Sequence, residues 1–169
     1  MHGRRTNKGD EPDSEPHRYQ KVGTMNRAAF VLIFEFYYAM QEMPFSCLDE
    51  NAEAYRFLFI PTFESPVSVN VWREGDHKYI ALRQLYAVGR PMGGAKDMKK
   101  TVNRQLTEKA WIHFQEVLEN STFWSMPADD VKPMGLDGST FLLEGGHHHR
   151  YHVVNRLLPE DQHFLELCN

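Results

Sequence analysis

Cysteine is scarce in this chain. Cys47 and Cys168 are the only two in 169 residues, too few for a disulfide scaffold. Neither belongs to a C-x-x-C pair, so zinc-ribbon and dithiol redox chemistry find no ligands here. Long apolar runs are also lacking. The longest, Ala28 to Phe34, is interrupted by Glu35, well short of the about 20 residues that a stable membrane span needs. A net charge of −4 excludes a surface wholly devoted to nucleic acid. The G-x-S-x-G elbow, the P-loop and the dinucleotide fingerprint are absent; Gly93-Gly94 lacks the Lys-Ser/Thr that a phosphate loop requires.

What is present is an ordinary globular composition, 41 % apolar and 25 % charged, in a length that suits one domain. Such a chain buries roughly 70 % of its unfolded surface and needs no metal or disulfide staple. Residues 1–24 read as a disordered leader, rich in Arg, Lys, Asp, Glu, Gly and Pro and poor in aliphatic side chains. Residues 25–47 are apolar and aromatic. They read either as an N-terminal helix packed on the domain or, from Met25 with Arg27 ahead, as a degenerate signal or anchor ending near Cys47. The compartment is cytoplasmic in the first case and the cell envelope in the second, and Met25 competes with Met1 as the start.

Residues 54–169 read as a single α+β domain. Tyr55 to Ile60 is rich in β-formers, and Val67, Val69 and Val71 alternate with Ser68 and Asn70 before a turn at Gly75-Asp76. Lys78 to Leu85 returns as a third strand, and a polar strand follows near Lys99 to Gln105. Thr107 is an N-cap for a helix running to about Asn120, with Trp111, Phe114, Val117 and Leu118 on one stripe. A second hairpin spans Thr140 to Asn155, and Pro159 opens a short closing helix. The fold class is therefore α+β, a mostly antiparallel sheet of about five or six strands with two or three helices on one face. Its core draws on Phe57, Val69, Val71, Trp111, Phe114, Leu118, Trp124, Phe141, Leu143 and Val154.

Several blocks of the domain keep a common order: Tyr55-Arg56-Phe57-Leu58 with Thr62-Phe63, Phe123-Trp124-Ser125-Met126-Pro127, Gly135-Leu136-Asp137-Gly138, Leu143-Glu144-Gly145, and Tyr151-His152-Val153-Val154-Asn155-Arg156. In these blocks the chain resembles a family of uncharacterised bacterial proteins from Tyr55 to the C-terminus. Phe59, Phe141 and Leu157 stand where that family's pattern has tryptophan, and Asn155 where it has aspartate. His148-His149 occupies a hairpin tip that is usually Asp-Gly or Asn-Gly. The resemblance implies a domain boundary and carries no established activity.

Three constellations offer chemistry. The run His147-His148-His149 suggests a metal, with His147 and His149 as the ligand pair of an extended strand. His148 and His152 would lie roughly 13 Å apart along such a strand, too far to share an ion. A solvated hairpin tip is the plainer reading. Arg56, Asp137, Glu144, His152 and Arg156 form a candidate polar site. With a turn at His148-His149, however, His152 shares a face with Phe141, Leu143 and Val154, whereas Glu144 points the other way with Leu142, Tyr151 and Val153. That makes His152 a core histidine and Asp137 a turn residue. Finally, Arg90, Lys96, Lys99, Lys100 and Arg104 read as a protected sheet edge rather than a nucleic-acid track.

These observations favour a small non-enzymatic binding protein, immunity-like or inhibitory, with no cofactor, no nucleic acid and another protein as partner. Its expected surface holds Trp72, Glu74 and Asp76. The alternatives are a metal-dependent or acid/base enzyme on the histidine-rich hairpin, and an envelope lipoprotein module.

Overall fold

The computed structural model describes residues 20–22, 34–42, 45, 52–87, 98–128, 138–157, 159 and 162–168. One sheet organises them. Its strands are β1 (Gln20–Val22), β2 (Glu53–Ile60), β3 (Val67–Glu74), β4 (His77–Leu85), β5 (Met98–Gln105), β6 (Thr140–His147) and β7 (Arg150–Leu157). They lie in the order β1-β7-β6-β2-β3-β4-β5. Six strands pair antiparallel, and three residues of the segment read as a leader, Gln20–Val22, add a short parallel strand on β7. The helices are α1 at 34–39, α2 (Glu108–Asn120) and α3 (Gln162–Cys168). This is a single α+β domain.

Period-two alternation sends each strand's side chains to two faces, and the register aligns them across the sheet. Tyr55, Val71, Leu143 and Val154 lie on the face covered by α2 and α3, with Trp111, Leu118, Phe123, Phe164 and Leu167 above them. All ten residues expected in the core belong to this cluster or pack against it. The opposite face carries a second apolar cluster, in which Leu58, Ile60, Leu85, Leu142 and Val153 meet Tyr37 and Met40 of the α1 segment. The helices thus divide between the faces: α2 and α3 share one, as the sequence implies, and α1 takes the other.

Local chemistry sets the helix ends. The Thr107 hydroxyl caps α2 by accepting from the Ala110 N–H at 3.2 Å. Beyond α2, Thr122 takes a left-handed conformation (φ 56°) and the chain doubles back. Phe123 is thereby pressed onto Gly145, where an added Cβ would lie 2.7 Å from the Phe123 ring. At the end of α1, Gln41 is left-handed (φ 56°), and the bonds Glu42 N–H to Tyr37 O and Gln41 N–H to Tyr38 O close a Schellman motif. That turn aims Glu42 back at the sheet.

The two tight hairpins differ in their chemistry. Gly75 (φ 58°) fits the first central position of the β3–β4 turn without strain. In the β6–β7 turn both His148 (φ 46°) and His149 (φ 62°) are left-handed, a conformation that costs an L-residue roughly 1–2 kcal/mol. His148→Asn/His149→Gly is therefore expected to stabilise the protein by about 1–2 kcal/mol. Thermal unfolding of the double variant beside the parent checks this; an unchanged or lower Tm would show that the imidazoles recover the backbone cost through their contacts.

Candidate functional site

The densest polar chemistry lies under α1, where three distant parts of the chain meet. The Arg56 guanidinium, on β2, projects between the rings of Tyr37 and Phe45, its Cζ 4.2 Å from each centroid. Its Nη1 donates to Glu144 Oε2 at 2.7 Å, and its Nε meets Glu42 Oε2 at 2.8 Å and Asn70 Oδ1 at 2.9 Å. Glu144 is fully buried and accepts three further bonds: from the Tyr37 hydroxyl (2.8 Å), the Phe45 N–H (2.9 Å) and the Tyr151 hydroxyl (2.9 Å). Glu42 accepts from Asn70 Nδ2 (2.6 Å), Ser68 Oγ (3.0 Å) and Arg83 Nη1 (2.8 Å).

The two arginines balance the two carboxylates; Glu42, Arg56 and Glu144 are buried, and Arg83 closes the network at its partly exposed rim. Burial, reinforced by the Glu144 charge, holds the Tyr37 phenol well above its usual pKa, hence protonated and donating. Burial alone would lower the Arg56 pKa, but Glu144, Tyr37 and Glu42 outweigh it and raise it. Such a network has little freedom to exchange protons with a substrate. Its mechanical effect is clear: it anchors Tyr37, Glu42 and Phe45 onto a sheet face that Ser68 and Asn70 make polar.

Of the five residues proposed from sequence as a polar site, four are described, and among these only Arg56 and Glu144 meet. His152 and Arg156 lie on the α2–α3 face, as the β6–β7 register requires, and Asp137 lies outside the described residues. His152 is buried, donates from Nε2 to the Met126 carbonyl at 3.0 Å and packs against Phe123 and Trp124. Arg156 donates to the Pro127 and Asn155 carbonyls. Sequence reasoning missed Glu42, Tyr37, Ser68, Asn70 and Arg83. One cue was available: Arg56 and Glu144 are lone opposite charges in otherwise apolar strand segments.

The histidine run finds a neighbour that spacing did not suggest. His147 is partly buried on the α2 side, its Nε2 3.9 Å from Glu53 Oε1, while His148 and His149 are exposed at the turn. Glu53 is buried on β2. Its Oε1 receives long bonds from Gln115 (3.3 Å) and the Tyr55 hydroxyl (3.4 Å), and Oε2 lies 3.2 Å from Arg73 Nε. Burial lowers the His147 pKa; Glu53 opposes this, and His148, Arg73 and Arg150 add to it. Among the described residues, no group of three or more His, Cys, Asp and Glu is arranged to hold a metal ion, so the His147–His149 pairing gains no third ligand here.

Two features face solvent. An apolar cavity of about 290 Å³ is lined by Phe57, Phe59, Val67, Val69, Phe141 and Cys168, and burial pushes the Cys168 thiol up to about 12, leaving it a poor nucleophile. On the α1 side of β3 and β4, Trp72 stacks on Tyr79 with centroids 5.3 Å apart and planes 24° from parallel. Both rings are half-buried, and Glu74 and Asp76 stand exposed at the adjoining turn.

No family model, curated protein or solved structure matches this chain. The sequence blocks must therefore be explained from their own contacts, and these are mutual. Arg56 of the first block meets Glu144, and Tyr151 does the same. Phe123 rests on Gly145, and Met126 receives His152. Thr62 exchanges hydrogen bonds with the Gly138 backbone. No helix among the described residues is long and apolar enough to cross a membrane.

Proposed function

We propose that this is a small non-enzymatic interaction protein, immunity-like or inhibitory and of bacterial type, which engages a protein partner through its β3–β4 hairpin. The Trp72–Tyr79 stack beside the acidic turn of Glu74 and Asp76 carries the reading. Half-buried aromatic rings offer a large contact area at little cost in side-chain entropy, and tryptophan and tyrosine are enriched where binding energy concentrates. The two exposed carboxylates suit a partner with a basic rim. The polar residues singled out in the sequence, by contrast, make structural contacts: Arg56 with both Glu42 and Glu144, and His152 with a backbone carbonyl.

Capture of a partner from the producing cells, followed by reconstitution with the purified partner, tests this. Trp72→Ser and Glu74→Lys/Asp76→Lys are each expected to weaken the reconstituted complex at least tenfold, with cross-links falling on residues 72–79. Full affinity in both variants, with their folds intact by circular dichroism, would place binding elsewhere.

A further inference from the structure

The sheet ends at β5, and this edge has a definite chemistry. Among the described residues no strand lies beyond it, and Lys99, Lys100, Thr101, Asn103, Arg104 and Gln105 are all exposed. The Leu106 N–H bonds the Lys78 carbonyl at 2.8 Å, which sets the phase of the β4–β5 ladder. Ladder bonds recur on every second residue, so Arg104, Val102 and Lys100 turn their backbone groups inward to Ile80, Leu82 and Gln84. Thr101, Asn103 and Gln105 then direct their N–H and C=O groups outward. The one register shift lies at Gln84/Leu85, so the stretch from Lys100 to Gln105 is regular and contains no proline.

Charge decides what such an edge admits. Lys100 and Arg104 flank Val102 on the α2–α3 face, whereas Thr101, Asn103 and Gln105 occupy the other, and β5 contains no acidic residue. A second copy pairing antiparallel about Val102 would set each Lys100 opposite the other copy's Arg104, and like charges directly opposite repel. In that register the basic residues oppose a second copy, and in any register they favour an acidic strand.

We propose that β5 is a docking edge for an extended acidic peptide segment of a partner protein, which adds an eighth strand. Backbone bonds to Thr101, Asn103 and Gln105 hold it. Its side chains read acid–apolar–acid opposite Lys100, Val102 and Arg104, with small polar residues between. The proposal rests on the reading of the chain as an interaction protein and uses the backbone edge beside the Trp72 stack, whose Tyr79 is the cross-strand partner of Gln105.

Fluorescence anisotropy with a labelled peptide of sequence SETVTES tests it on the full chain, with the lysine counterpart SKTVTKS and a single-stranded oligonucleotide as competing ligands. The expected result is micromolar, salt-sensitive binding of the acidic peptide only. Asn103→Pro removes one outward N–H but no ladder bond, as edge strands tolerate. It is expected to weaken binding at least tenfold while Asn103→Ala does not, and Lys100→Glu/Arg104→Glu should reverse the preference between the peptides. Undiminished binding by a folded Asn103→Pro variant, equal binding of the oligonucleotide, or no peptide binding would overturn the proposal. The peptide assay needs no partner protein, whereas the hairpin surface is read by the reconstituted complex, so failure at this edge is distinguishable from failure of that surface.

Discussion

Glu144→Ala is expected to lower stability by about 3–5 kcal/mol, the cost of leaving a buried ionic partner uncompensated. For a domain of this size that corresponds to a fall in Tm of roughly 6–20 °C. The reason is the number of groups that converge on one carboxylate. Arg56, the Tyr37 and Tyr151 hydroxyls and the Phe45 N–H all lose an acceptor at once, and each stays buried or nearly so. Arg56→Met should cost a similar amount, because it leaves Glu42 and Glu144 facing each other without the cation between them.

The double variant Arg56→Met/Glu144→Leu is the informative one, with Arg56→Met and Glu144→Leu as the single members of its cycle. Replacing both members of a buried pair by apolar groups of similar volume is often neutral, so its loss should fall well short of the sum of the two single losses. Thermal and urea unfolding of the four-member cycle measure this. Strict additivity would mean that Arg56 and Glu144 act independently and that the network does not anchor Tyr37, Glu42 and Phe45.

Phe123→Ala has the second large expected effect, again about 3–5 kcal/mol, since it empties a fully buried ring site in the middle of the α2–α3 core. Gly145→Ala should cost about 1–3 kcal/mol by overpacking, because its Cβ would lie 2.7 Å from the Phe123 ring and 3.1 Å from Tyr55 Cδ1. The two changes should couple. In the Phe123→Ala background the new methyl enters vacated space, and Gly145→Ala should become nearly neutral. Equal costs of Gly145→Ala in both backgrounds would show that Tyr55, rather than Phe123, sets the limit. Neither substitution touches β5 or the Trp72 stack, so residual folded protein should keep both interactions.

Residues close in the chain made much of the fold legible. The alternation of Val67, Val69 and Val71 gave β3 its inward face, and the Trp111–Phe114–Leu118 stripe gave α2 its buried side. The turn at His148-His149 assigned Glu144 and His152 to opposite faces, as the register has them. Each is a statement about period two or period 3.6, which a single segment contains in full. The candidate polar site was legible only in fragments. Arg56 and Glu144 were named among its members, but their partners Glu42 and Tyr37 sit in a stretch whose apolar character read equally well as an export signal.

Local sterics and hydrophobic periodicity thus made the six antiparallel strands, the capped helix, the core stripe and the basic edge legible in the chain, but not β1 at Gln20–Val22. Long-range packing put α1 on the second sheet face and gathered the buried Glu42, Arg56 and Glu144 into one network. It likewise brought Glu53 beside His147. The strand order β7-β6-β2-β3 creates those meetings, and it is selected by burial and charge compensation summed over the whole sheet, which no single segment encodes.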